Sequence, residues 1–284
     1  MSVAVIAPIA IDANPRPKAH PIKPRAMQIP VDADVPRHWA FGTVLGTHIG
    51  NGVNLLFPMG ERFFIRSVRR YMDRIDDEEL RAQIKGFFGQ EGRHSHAHEQ
   101  FFTILENQGY SIRTFLRIYE QIAFEGIEKI SPAELCLSAT AAAEHFTAIM
   151  AENALTEGFL PQVHPVVRDL LMWHAAEEIE HKSVAFDVLK KVNPSYELRI
   201  AGLIVAATLL GGFWAAATLM LLAQEDLDTL KKIPAELEAR KDHEPIAKKV
   251  FVRGIKAYLR RDFHPSQLDN MHLATEYLAS VGMS

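Results

Sequence analysis

From about Phe57 onward, apolar positions recur mostly at spacings of three and four, and β-branched alternation is nearly absent. That period belongs to amphipathic helices. Pro58 suits a first helical turn, so the pattern predicts a helix from Phe57 through Arg69 or Tyr71. Asp76 with Glu79 makes a capping-box-like start for a second long helix ending near Gly109. A shorter helix follows over 110–130. Ser131-Pro132-Ala133-Glu134 combines an N-cap, a first-turn proline and an acid, and starts a helix that runs to about Glu157. After Pro161 and Pro165 another helix covers Val166–Lys191, and Asn193-Pro194 ends it.

The pattern then changes. Ile200–Ala223 is 24 residues without a charge. As a helix it would be about 36 Å long, against a hydrocarbon core of about 30 Å. Gly202, Gly211, Gly212, Thr208 and Thr218 interrupt its apolar surface. Three readings stay open: a buried or subunit-interface helix, a membrane-docking or re-entrant segment, and a span. The remainder, Glu225–Ser284, is amphipathic and charged, with a helix stop and turn around Tyr258–Pro265.

Residues 1–37 hold seven of the fifteen prolines and read as an extended arm. Val3–Ile11 lacks a basic leader and is interrupted by Pro8, so it does not read as a signal peptide. A cytoplasmic protein is expected, with peripheral or membrane association left open by the uncharged segment.

Composition narrows the chemistry. A single cysteine, Cys136, excludes a disulfide framework and any Cys₄ metal site, and reads as a small core residue. A net charge of −4 argues against a nucleic-acid binder. The thirteen histidines mean that any metal would sit on nitrogen and oxygen ligands, which favours iron, manganese or zinc.

Two segments repeat Glu-x-x-His: Glu91-Gly92-Arg93-His94 and Glu178-Ile179-Glu180-His181. Residues i and i+3 share a helix face and can hold one metal. Upstream helices each offer one carboxylate, Glu61 and Glu144, 30 and 34 residues before these motifs. The order Glu61, Glu91/His94, Glu144, Glu178/His181 is the ligand set of ferritin-like dinuclear carboxylate bundles. His98 and His174 lie on the same faces, as extra ligands or as hydrogen-bonding supports. His145 falls about 100° off the face of Glu144, and His96 is off its face as well. Glu177 and Glu180 are expected to point elsewhere, to solvent or to Arg or Lys partners. Asp187 and Glu99 are candidates for hydrogen bonds to ligand histidines.

The fold expected is therefore all-α: a ferritin-like four-helix bundle over 38–192, preceded by the arm 1–37 and followed by helices of 193–284 packed on it. The stretches Phe57–Phe64, Gly89–Ser95, Ala143–Thr147 and Trp173–Lys182, with a later pattern at Tyr258–Asn270, resemble the bacterial family of predicted metal-dependent hydrolases over roughly 35–275. The resemblance implies a fold and a metal site but no substrate.

Two metals in such a cage can activate O₂ or lower the pKa of a bridging water for hydrolysis. The hard, anionic set points first to two iron ions (manganese or zinc as alternatives). The leading expectation is a non-haem di-iron oxidoreductase that oxygenates or desaturates a lipophilic small molecule. No Gly-rich nucleotide loop appears, so O₂ chemistry would need an external reductase as electron donor. A dinuclear metal-dependent hydrolase and a non-enzymatic iron-binding bundle are the alternatives. A homodimer is expected.

Overall fold

Local signals set the helix boundaries in the computed structural model, which describes residues 21–156, 162–246 and 248–283. Helix α1 (Val44–Asn54) precedes α2 (Phe57–Arg69), which carries Pro58 in its first turn. The start of α3 (Glu78–Asn107) lies one residue later than the capping-box reading: Asp77, not Asp76, is the N-cap and accepts the Leu80 amide at 3.1 Å. The predicted 110–130 helix is a short α4 (Arg113–Tyr119) that widens into a π segment over Glu120–Glu128. Ser131-Pro132 introduces α5 (Ala133–Thr156); its expected end at Glu157 lies outside the described residues.

The predicted helix over Val166–Lys191 is two. Helix α6 (Pro165–His181) stops at Lys182-Ser183, and α7 (Val184–Val192) resumes. At the break, the buried Lys182 ammonium donates to the Leu268 carbonyl at 2.6 Å and to Asn270, so tertiary contacts occupy the interruption. The long apolar α8 (Tyr196–Leu222) runs straight through its glycine pair, which does not split it. Short α9 (Leu227–Leu230), α10 (Ile233–Ala239), α11 (Arg253–Tyr258) and α12 (Met271–Ser280) complete the chain.

These elements make an all-α helical bundle, compatible with the ferritin-like resemblance; no strand forms among the described residues. Helices α2 and α3 pair, α5 pairs with α6 and α7, and the two pairs face each other. Helix α8 lies against α5 and α1, while α12 covers α6. Gly202 lets α8 approach α5, because a Cβ there would overlap Ser138. Helix α8 is long and apolar enough to cross a membrane, and only 28% of its apolar window is buried within the chain. Leu203, Ala206, Ala217 and Leu221 point inward, whereas Ile204 and Leu219 are exposed.

Of the N-terminal arm, residues 1–20 lie outside the described residues. Residues 21–37 pack on the bundle, with Ile29, Val35 and part of Ile22 inside. Gly86 of α3 makes room for this segment: a Cβ there would lie 2.5 Å from the Ile22 carbonyl oxygen.

Candidate metal centre

Each long bundle helix sends carboxylates or imidazoles into the space between the pairs. Glu61 comes from α2, Glu91, His94 and His98 from α3, Glu144 from α5, and His174, Glu178 and His181 from α6. All eight are buried. The i, i+3 spacing puts each Glu-x-x-His pair on one inward face.

The six residues expected from spacing form one cluster. His181 Nε2 lies 3.0 Å from Glu91, 3.3 Å from Glu144 and 3.4 Å from Glu178. His94 Nδ1 lies 3.6 Å from Glu178. His174 Nε2 lies 2.9 Å from Glu178 and 3.6 Å from Glu61. Two groups of three have donor atoms close enough for one ion each: Glu61, His94 and His174, and Glu91, Glu178 and His181. This division differs from the one expected from the sequence, in which Glu61, Glu91 and His94 would serve one metal and Glu144, Glu178 and His181 the other; Glu144 belongs to neither group of three.

The far sides of the rings are held by hydrogen bonds, which set the imidazole tautomers. His94 Nε2 donates to Glu177 at 3.0 Å, leaving Nδ1 toward the cluster. His181 Nδ1 donates to the Gln90 side-chain oxygen at 2.8 Å, leaving Nε2 inward. His98 donates to Asn54 through Nδ1 and accepts the Nδ1–H of His174 at 2.6 Å. Both ring nitrogens of His98 are thereby used, so His98 supports His174.

Arg25 of the arm lies behind this shell. It reaches Glu177 at 3.1 Å and Glu180 at 2.7 Å, and Gln90 donates to Glu180 at 2.7 Å. Glu180 thus pairs with an arginine, as expected. Glu177 does too, but it also faces the buried ring of His94, which its position beside Glu178 did not reveal. Arg25, Gln90 and Asn54 were likewise missed; no local spacing links a residue to a partner up to 155 positions away.

Inside the cluster, nine atoms have no hydrogen-bond partner among the described residues: both oxygens of Glu61, Glu91 and Glu144, one oxygen of Glu178, His94 Nδ1 and His181 Nε2. Burial, reinforced by Glu91 and Glu178, pushes the Glu61 carboxyl well above the usual range. Burial and Glu144 do the same to Glu91. Burial raises Glu144 to about 7. Burial opposes charge on Glu178 and His181, but their mutual attraction holds Glu178 well below its ordinary value and His181 well above. Buried carboxylates with inward, unpartnered oxygens are costly unless a cation joins them. The donor set suits a nitrogen- and oxygen-liganded divalent metal.

Other residues considered from the sequence lie elsewhere. His145 donates to the Gly254 carbonyl at 3.0 Å and packs on Tyr258 and Phe263. His96 is exposed. Glu99 pairs with Arg62, and Asp187 lies 3.0 Å from His264, so neither supports a cluster histidine. Cys136 is buried, as expected of a small core residue. A separate group, His38, His48 and Glu225, also has metal-compatible spacing. There the Glu225 carboxylate already takes Arg37 Nε at 3.2 Å on both oxygens and accepts from Tyr110, so it is a neutralised clamp.

Residues 23–269 match the family described as predicted metal-dependent hydrolase, and the chain belongs to that family. No curated protein and no solved structure matches it. Family membership overturns the leading expectation of an O₂-activating di-iron oxidoreductase, because it points to metal-dependent hydrolysis. The physical reason is that hard nitrogen and oxygen ligands specify a Lewis-acidic cation and leave the reaction open. Iron is not singled out by the cluster.

Proposed function

We propose that this member of the predicted metal-dependent hydrolase family hydrolyses a small-molecule substrate at a dinuclear centre held by Glu61, Glu91, His94, Glu144, Glu178 and His181, with His174 completing the Glu61 side. The supporting observation is the set of nine buried, inward-facing donor atoms without hydrogen-bond partners among the described residues. Metal ions at such a site act as Lewis acids and lower the pKa of water.

The chain's own residues prepare the site. Glu177 and Gln90 take the outer N–H groups of His94 and His181 and so aim the inner nitrogens. His98 fixes the ring of His174 in the same way. Trp173 and Phe87 pack edge-on against His94 and His181 and keep bulk water from the cluster.

Metal analysis of the full chain tests this. Wild type is expected to carry about two divalent ions per chain and to hydrolyse p-nitrophenyl esters or bis(p-nitrophenyl) phosphate. Chelation abolishes turnover, and readdition of zinc, manganese or iron restores it. Glu144→Ala is expected to lose metal and turnover together. Unchanged metal content in Glu144→Ala, or hydrolysis that survives complete chelation, refutes the assignment.

A further inference from the structure

A cavity of about 100 Å³ beside the cluster is lined by Glu61 and by residues of α2, the π segment, α5 and α8. Its lining on α5 comprises Leu135, Cys136, Ala139, Ala143 and Thr147, four of them at four-residue spacing. Twelve residues of helix span about 18 Å, so this lining extends about that far along α5. Phe63, Phe64 and Phe124 line it, as do Val205 and Leu209 of α8. Among the described residues, no lysine or arginine lines it.

Polar side chains are in the minority: Glu61, Tyr119, Glu128, Ser131, Cys136 and Thr147. Glu61 is directed at His174. Glu128 is paired with the half-exposed Arg66 and Arg70. Space exists because Ala123, Ala139, Ala143 and Ala206 are small where core residues are usually large. An unfilled apolar cavity lowers stability, so keeping one open beside a polar centre is better explained by an occupant. The π segment contributes to the wall, and such irregular helices concentrate at functional sites.

We infer that this cavity holds a linear hydrocarbon chain, and that the substrate is a fatty-acyl ester whose carbonyl end lies at Glu61. The ester half of this inference rests on the hydrolase reading; the chain-binding half does not. Hydrolysis breaks the acyl C–O bond and joins the water oxygen to the acyl carbon. One water proton goes to the departing alkoxide, and the other is released from the new acid to solvent. Water is the only co-reactant.

Displacement of cis-parinaric acid by laurate, in metal-free and metal-loaded protein, tests the chain site. Wild type is expected to bind in both forms. Ala139→Phe, which fills the cavity from α5, is expected to weaken binding by about tenfold or more. Ala206→Phe fills it from α8 and guards against a folding defect in the first variant. In turnover, both variants are expected to lower the ratio of p-nitrophenyl laurate to p-nitrophenyl acetate hydrolysis by about tenfold. Wild type that binds no parinaric acid, or folded variants that bind it unchanged, overturns the chain site. Wild type that binds the chain but hydrolyses neither ester overturns the hydrolase reading while the chain site stands. Sedimentation with phosphatidylcholine vesicles, with release of their acyl chains, assigns the ester to a bilayer; hydrolysis of soluble esters alone assigns it to a free molecule.

Discussion

Arg25 touches none of the clustered imidazoles, yet it stands behind two of them. Its guanidinium holds Glu177, which takes the His94 N–H, and Glu180, which orients Gln90 against His181. Removing it leaves the buried Glu177 and the half-buried Glu180 short of a partner and both rings less constrained. Burial already raises Glu177 to about 7. Arg25→Gln is therefore expected to weaken metal binding by about tenfold or more, measured by chelator competition, with helix content retained by circular dichroism. Equal affinity in variant and wild type would show that the arm has no part in positioning the centre. At this scale the inward faces of α3 and α6 were readable, because i, i+3 geometry is a property of any helix. The structure brings Glu61, Glu91, His94, Glu144, Glu178 and His181 together. Glu177, Gln90, Asn54 and Arg25 were not readable, because their roles exist only across elements distant in sequence.

Among the elements, the ends of helices decide more than their lengths. Caps and prolines made the starts of α2, α5 and α6 legible. The break after His181 was not, because neither Gly nor Pro marks it and Lys182 is drawn to the Leu268 carbonyl instead. The end of α8 joins four parts of the chain. Glu225 takes Arg37 from the arm, His38 just after it, His48 from α1, and Tyr110 from the turn after α3. Burial works against its charge, but hydrogen bonds from Tyr110, His48, His38 and Arg37 prevail and lower its pKa from 4.5 to about 2. A carboxylate lowered in this way stabilises the fold fully above its unfolded value, and the contribution is lost as pH falls through the folded one. Wild type is thus expected to lose stability relative to Glu225→Gln between about pH 4.5 and pH 2. Urea denaturation near pH 7 and near pH 3 reads the difference; an equal gap at both refutes the clamp.

Over the whole molecule, four bundle helices converge on acids that have nothing but one another and histidines to face. Metal binding relieves that strain and is linked to stability, since the unfolded chain has no such site. Chelation is expected to lower the melting temperature by roughly five degrees or more, reversed by readdition of the metal. Scanning fluorimetry checks this, and an unchanged midpoint would argue against a resident ion. The helical class, the four-carboxylate and two-histidine order and the family likeness follow from the chain alone, because periodicity and spacing are local. Three things needed the folded structure: the far-side hydrogen bonds that aim each ring, the arm laid over α3, and the apolar cavity at Glu61. Each is made by segments that are remote in sequence, where packing, and not helical repeat, selects the neighbour. The reaction class lies beyond ligand geometry, since one nitrogen and oxygen cage serves more than one chemistry; family membership is what turned the reading from oxygen activation to hydrolysis.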